Sequence, residues 1–368
     1  MSIGSHPETR RPRRDDELVG EPGRDRRDRR PDELPATMRA ARIERFGPPE
    51  VVRLVELPRP EPGPGELLVR VRASTVSVAD ERMRARRLPR GFGLMVAPTV
   101  GLFRPKVRVL GMDAAGVVAA VGDGVERFAV GDEVIVMRGS RMGCHAEYVT
   151  IAADGQVARK PANLSFEEAA AIVFGGHTAL RYLDRVDIGP GSEVLVNGAS
   201  GAVGSAAVQL AAARGARVTA VTSARNAELV RSLGAAHVID HTREDFATPV
   251  AGSPGAAARY DVIVECVGNA PFERVEHLLR PGGALLLVIL DLHGLLLAKR
   301  QSRRSGLVVD HEGGRMDAAG MERLAALAET GVLRPVIDRV VAFDEVVEAH
   351  RYVDGGHKRG SVVLRMTE

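Results

Sequence analysis

From Met38 to about residue 160, apolar positions fall in short, valine-rich alternating runs broken by glycine and proline. Val51–Val55, Leu67–Val71, Ala115–Val121, Glu133–Val136 and Ala146–Ile151 each carry the period-two pattern of a half-buried strand. Pro58, Pro60, Pro62, Gly63, Pro64 and Gly65 separate the first two runs. The pattern predicts an all-β region, a small barrel. Past Pro161 the period changes. Ser165, with Glu168 three residues on, has the form of a capping box, and Leu164–Ala171 begins a helix. Strands and helices then alternate: Glu193–Val196, Ala202–Arg214, Val218–Val221, Ala227–Leu233, His237–Ile239, Asp261–Glu265, Phe272–Leu279 and Ala284–Ile289. Gly215 and Gly234 stand where helix C-caps belong. Such alternation calls for a parallel sheet with helices on both faces. The C-terminal part returns to mixed structure and ends in a strand, Ser361–Arg365.

Composition narrows the classes of function. The 368 residues are long enough for two domains with substantial cores. Lys+Arg 51 against Asp+Glu 48 leaves a net charge of +3, too small to argue for nucleic acid. Residues 1–37 carry nine arginines and nine carboxylates, so this arm cancels to zero. Its few apolar residues cannot offset its ordering entropy, and a disordered arm is expected, with the folded part starting at Met38. The N-terminus lacks the apolar stretch of a signal peptide. The most apolar run, Ala284–Ala298, is interrupted by Asp291 and His293 and is no membrane span. Cys144 and Cys266 cannot make a disulfide framework or a four-thiolate zinc site. A soluble protein of a reducing cytoplasm is the expectation.

One loop carries chemistry. The strand ending at Val196 runs into Asn197-Gly198-Ala199-Ser200-Gly201-Ala202-Val203-Gly204 and an alanine-rich helix. Read from Ala199, this is a dinucleotide fingerprint with alanine in its first position. Gly201 lets the backbone approach a pyrophosphate, and Gly204 permits close helix–strand packing. Ala199, Ser200, Gly201, Ala202, Val203 and Gly204 are therefore candidate cofactor contacts. No carboxylate stands in Thr222-Ser223-Ala224-Arg225-Asn226, where one would accept from the ribose of NAD. A hydroxyl, Ser223, and a guanidinium, Arg225, suit a 2′-phosphate, which favours NADPH; Arg225 as an ordinary surface arginine is the alternative.

With the glycine loop, several further segments carry a family resemblance. They are Phe46-Gly47-Pro48-Pro49-Glu50-Val51, Pro60-x-Pro62-Gly63-Pro64-Gly65-Glu66, Gly111-Met112-Asp113-Ala114-Ala115-Gly116, Val121-Gly122, Val130-Gly131-Asp132-Glu133-Val134 and Ala146-Glu147-Tyr148-Val149. The chain from Met38 onward resembles the medium-chain dehydrogenase/reductase superfamily, in its zinc-free quinone oxidoreductase-like branch. The resemblance implies an α/β protein in two parts. A GroES-like β-barrel domain (residues 38–163 and 306–368) encloses a Rossmann doubly wound parallel-sheet domain (164–305), with the nicotinamide at their junction. It also implies a homodimer through the Rossmann domain.

Zinc-dependent relatives hold catalytic zinc with Cys, His and Cys; the matching positions here are Ser77, Met112 and Phe174, a poor ligand set. Cys144-His145 lies off those positions, so no metal is expected. Without a Lewis acid, hydride addition to an electron-poor acceptor is easier than alcohol oxidation. A small hydrophobic quinone or α,β-unsaturated carbonyl is the expected substrate. The alternative is a catalytically weak NADPH-binding protein with a regulatory or nucleic-acid-binding role.

The family's Asn-x-x-Asp becomes Ser77-x-x-Asp80 here, and both are candidate catalytic residues. Ser77 can donate to a substrate carbonyl or be satisfied by local backbone; Asp80 suits an organiser of the loop. Thr178, in Gly175-Gly176-His177-Thr178-Ala179, matches a cofactor contact beside the nicotinamide, with His177 a lesser candidate for the substrate. Val267 and Gly268, after the fourth strand, and Val288, within Leu287–Ile289, should pass near the nicotinamide ribose, while Cys266 is expected to be packed. Arg84–Arg108 reads as a mobile apolar flap over the acceptor pocket, or as a surface or subunit-packing loop. Leu292–Leu297 reads as a buried or dimer-contact run.

Overall fold

A computed structural model describes residues 34–89, 91–95, 97–248 and 260–366, together with Met1. Residues 2–33, the bulk of the arm expected to be disordered, lie outside them. The alternating runs pair as strands: β1 (Thr37–Ile43), β2 (Val52–Pro58), β3 (Glu66–Val76), β4 (Asp113–Val121), β5 (Glu133–Met137), β6 (Tyr148–Ala152) and β7 (Val157–Arg159). Their inward residues, Leu67, Val69, Val118, Val134 and Val136 among them, share one apolar cluster. β3 is the centre of this part, paired antiparallel with β4 and β6. Of these seven, two were not read in the sequence, β1 and the three-residue β7.

The β-α alternation forms a second sheet from β8 (Glu193–Asn197), β9 (Arg217–Thr222), β10 (Ala235–Asp240), β11 (Tyr260–Glu265), β12 (Leu279–Leu287) and β13 (Val308–Asp310). All neighbours are parallel, in the order β10-β9-β8-β11-β12-β13. The order reverses between β8 and β11, and such a switch opens a crevice at the strands' carboxyl ends. β14 (Ile337–Ala342) and β15 (Ser361–Arg365) return to the barrel, β15 pairing antiparallel with β3.

Helices α1 (Val78–Ala85), α2 (Phe166–Leu183), α3 (Ala202–Ala213), α4 (Ala227–Ser232), α5 (Leu292–Ser305), α6 (Ala318–Glu329) and α7 (Val346–Asp354) complete the fold. Two sequence expectations need correction. The helix expected over Phe272–Leu279 is one α-helical turn, Phe272–Val275, continued as a 3-10 turn over Glu276–Leu278; Leu279 instead pairs with Tyr260 at the start of β12. The Rossmann boundary at 305 falls short, because Val308–Asp310 pairs with Ala284–Leu286 as the sheet's last strand. Among the described residues, no helix is long and apolar enough to cross a membrane.

Candidate functional site

The glycine loop is shaped by backbone contacts. A Cβ at Gly204 would lie 2.2 Å from the Gly198 carbonyl oxygen and 2.8 Å from the Ala199 Cα, so only glycine lets α3 pack this tightly on β8. At Gly201 a Cβ would meet nothing closer than 3.5 Å. Gly201 is the N-cap of α3 and offers no side chain to its first turn, which leaves amide donors available to an anion. By contrast, the N-termini of α1 and α2 are closed by capping boxes, Ser77 with Asp80 and Ser165 with Glu168. The Ser200 hydroxyl accepts from Thr222 Oγ1 (3.0 Å) and Asn226 Nδ2 (3.1 Å). Its carbonyl accepts from the Gly360 amide (2.7 Å), so the C-terminal segment lies along the loop. Ser223 is half-buried beside Asn226, and exposed Arg225 donates to the His357 carbonyl at 3.1 Å.

A second loop is set by a buried carboxylate at the end of β11. Glu265 is fully buried and accepts from the amides of Val267 (2.6 Å), Gly268 (3.0 Å) and Ala270 (3.1 Å), and from Asn197 Nδ2 (3.0 Å). The loop therefore keeps Val267 and Gly268 exposed at the crevice. Half-buried Cys266 and Val288 pack on the same apolar cluster as Val203 and Phe174. Burial raises the Cys266 thiol far above its ordinary range, as expected of a packed cysteine.

On the barrel side, Ser77 and Asp80 form the cap of α1. Asp80 Oδ2 accepts from the Ser77 amide (2.8 Å) and hydroxyl (2.6 Å), and Oδ1 accepts from the Gly111 amide (2.8 Å). Asp80 thus ties α1 to the Gly111–Asp113 segment. Asp113 is fully buried and accepts from the Thr75 amide and hydroxyl, both at 2.9 Å to Oδ1. Burial raises it to about 8, against hydrogen bonds from Thr75. Met112 touches both the barrel cluster and the cluster beneath the parallel sheet. Among the described residues, no group of three or more His, Cys, Asp or Glu is arranged to hold a metal ion. Cys144 and His145 are buried, and His145 Nε2 lies 2.9 Å from the Thr75 carbonyl oxygen. Ser77, Met112 and Phe174 bring neither thiolate nor imidazole to a metal.

Phe174 and Thr178, four residues apart, are the half-buried residues in the otherwise buried stretch Ala169–Leu180 of α2. His177 is buried, and burial followed by the nearby Arg181 charge lowers it to about 4. A cavity of about 490 Å³ lies at the ends of β11 and β12. Val267, Gly268, Leu287 and Ile289 line it from the parallel sheet; Arg82, Arg87, Leu88 and Pro89 line it from α1 and the segment after it. Ser77, Asp80, Thr178 and His177 do not line this cavity.

The segment read as a flap contains two one-turn helices, Phe92–Met95 and Ala97–Val100. Arg86, in the left-handed region at φ 54, pins it by donating to the carbonyls of Gly93 (3.0 Å) and Gly101 (3.4 Å). Gly91, at φ +86, lies against Leu292 of α5. Leu296 is 71% exposed, so the run Leu292–Leu297 is not wholly buried.

Asp113, Glu265, Asn226 and Lys358 were missed as site residues. Lys358 donates to the Gly360 carbonyl at 2.6 Å, and burial lowers it to about 8 against the pull of Asp338, Asp113 and Asp80. The one available signal was a carboxylate, Glu265, ending an otherwise apolar parallel strand.

Comparisons with known proteins agree with this architecture. Residues 63–162 match the family described as alcohol dehydrogenase GroES-like domain, and residues 233–364 match zinc-binding dehydrogenase. The chain is 30% identical over 335 residues to a quinone oxidoreductase of Homo sapiens, covering 89% of this chain and 97% of that one. It is 29% identical over 347 residues to a 2-methylene-furan-3-one reductase of Solanum lycopersicum, covering 90% and 80%. A solved structure of the quinone oxidoreductase from Coxiella burnetii superposes with a TM-score of 0.77 at 27% identity, over 90% of this chain and all of that one (100%).

Proposed function

The chain belongs to the medium-chain dehydrogenase/reductase superfamily, in the quinone oxidoreductase-like branch, and we propose that it reduces a quinone or α,β-unsaturated carbonyl with NADPH, without zinc. The observation that carries this reading is the pairing of an uncapped α3 N-terminus with a cavity at the parallel strands' ends, walled in part by Val267, Leu287 and Ile289. When bound, NADPH supplies the hydride. The amides of Ala202, Val203 and Gly204 would hold its pyrophosphate, aided by the α3 dipole. Ser223 and Arg225 would take the 2′-phosphate; Thr178, Val267, Gly268 and Val288 would flank the nicotinamide end. The absence of a carboxylate at the end of β9 supports NADPH over NADH.

On the acceptor side, Met112 and Phe174 match the ligand positions of zinc-dependent relatives and would give the cleft apolar side chains instead. An electron-poor acceptor suits such a cleft. Hydride adds to the β-carbon, negative charge collects on the carbonyl oxygen, and solvent delivers the proton. The Ser77 hydroxyl gives its one proton to Asp80 Oδ2 in the cap of α1, so it would serve that oxygen only by turning away from Asp80 when the acceptor binds. Deuterium at both C4 positions of NADPH tests the step: label should appear at the β-carbon of the reduced enone, and failure of any enone or quinone to oxidise the nucleotide would refute the reading.

A further inference from the structure

The cavity at the ends of β11 and β12 is lined by apolar and polar side chains alike, and several charged groups stand on its wall. Each carboxylate there already has donors. Glu265 is taken by three backbone amides and Asn197. Glu273 accepts from Gln301 Nε2 at 2.8 Å, and Asp291 caps α5 through the Gly294 amide at 2.8 Å. Of the two arginines, Arg87 is paired with Glu81 (3.1 Å) and Asp354 (3.8 Å).

Arg82 is different. It is half-buried, lines the cavity, and makes no side-chain hydrogen bond or ion pair among the described residues. Burial lowers its pKa, and Glu81, already engaged by Arg87, is the one carboxylate that opposes this. A guanidinium stays charged under such a shift, because its pKa begins above 12. A half-buried cation beside apolar walls gains most from a charged hydrogen-bond acceptor, and the planar fork fits a carboxylate through two N–H donors.

We propose that the acceptor carries a carboxylate, which the Arg82 guanidinium binds while the apolar walls hold the rest of the molecule. The inference rests on the reductase reading for the acceptor's identity, but the anion site stands on its own geometry. A monoanion fits better than a phosphate dianion, because one free guanidinium serves it and Glu273 and Asp291 share the wall. The cavity's position over Val267, Gly268 and Ile289 sets this group near the expected nicotinamide end rather than along the adenosine path.

The test uses two probes of equal length, octanoate and octanamide, titrated calorimetrically into the protein saturated with NADP⁺. Octanoate should bind at least about tenfold tighter than octanamide. Arg82→Met should erase that preference, and Arg82→Lys should keep part of it. Equal binding of the two probes to the wild-type protein, or a preference that survives Arg82→Met, overturns the proposal. NADPH oxidation with menadione, measured in parallel, separates the two readings. Turnover without an octanoate preference removes the anion site and leaves the reductase. An Arg82-dependent preference with no turnover on any acceptor keeps the anion site and removes the reductase.

Discussion

The two sides of the cleft are made of different materials. The nucleotide side is backbone: glycines at contact distance, an uncapped helix end, and a loop whose amides close on Glu265. The acceptor side is side chains: Met112, Phe174, the Ser77–Asp80 cap, and the Arg82 wall. Backbone geometry permits almost no substitution, whereas a side-chain wall can change its chemistry without losing the fold.

The hardest test of that contrast is Gly204→Val. The new side chain would press on the Gly198 carbonyl and on Ala199, both backbone. We expect a stability loss of about 3 kcal/mol and at least a hundredfold weaker NADPH binding, read by thermal unfolding and nucleotide titration. Retained binding would show that the nucleotide side is not backbone-limited.

A smaller effect belongs to His177, buried on α2 with no partner for either ring nitrogen among the described residues. Its folded-state pKa, about 4, lies below the ordinary 6.5, so the unfolded chain binds the extra proton. The stability this represents is present above pH 6.5 and is lost as pH falls from 6.5 towards 4. The expected loss is roughly 2 kcal/mol over that window, and His177→Phe should flatten it in urea titrations at several pH values. An unchanged slope would mean that His177 is solvated or protonated in the native protein.

The smallest effect concerns the one place where the nucleotide side relies on an exposed side chain. Arg225→Ala should lower the NADPH-to-NADH preference about tenfold, measured as the ratio of dissociation constants. No change would leave Arg225 as a structural partner of the His357 carbonyl.

What was legible in the sequence follows the same division. Spacing encodes backbone geometry, so the glycine loop, the Ser165–Glu168 capping box and the alternating strands could all be read directly. Other features, on both sides of the cleft, depend on pairs brought together by folding. Thr75 meets Asp113, and Asn197 meets Glu265, across 38 and 68 positions. Helix α1 was not read as a helix because its buried face is charged: Asp80, Glu81 and Arg84 point inward, with Arg84 bound to Asp354 and the Gly47 carbonyl. Binary patterning expects apolar residues there. Lys358 and Arg82 gain their significance only from what surrounds them in space.

The central claim is that a zinc-free acceptor side serves hydride transfer from NADPH. Its most direct test is NADPH consumption with menadione and an enone by protein dialysed against a strong chelator, with metal content measured on the same sample. The account predicts full turnover at less than about 0.1 zinc per chain, with one acceptor reduced per NADPH consumed. Turnover that appears only when zinc is restored, or NADPH that binds without being consumed, would contradict it.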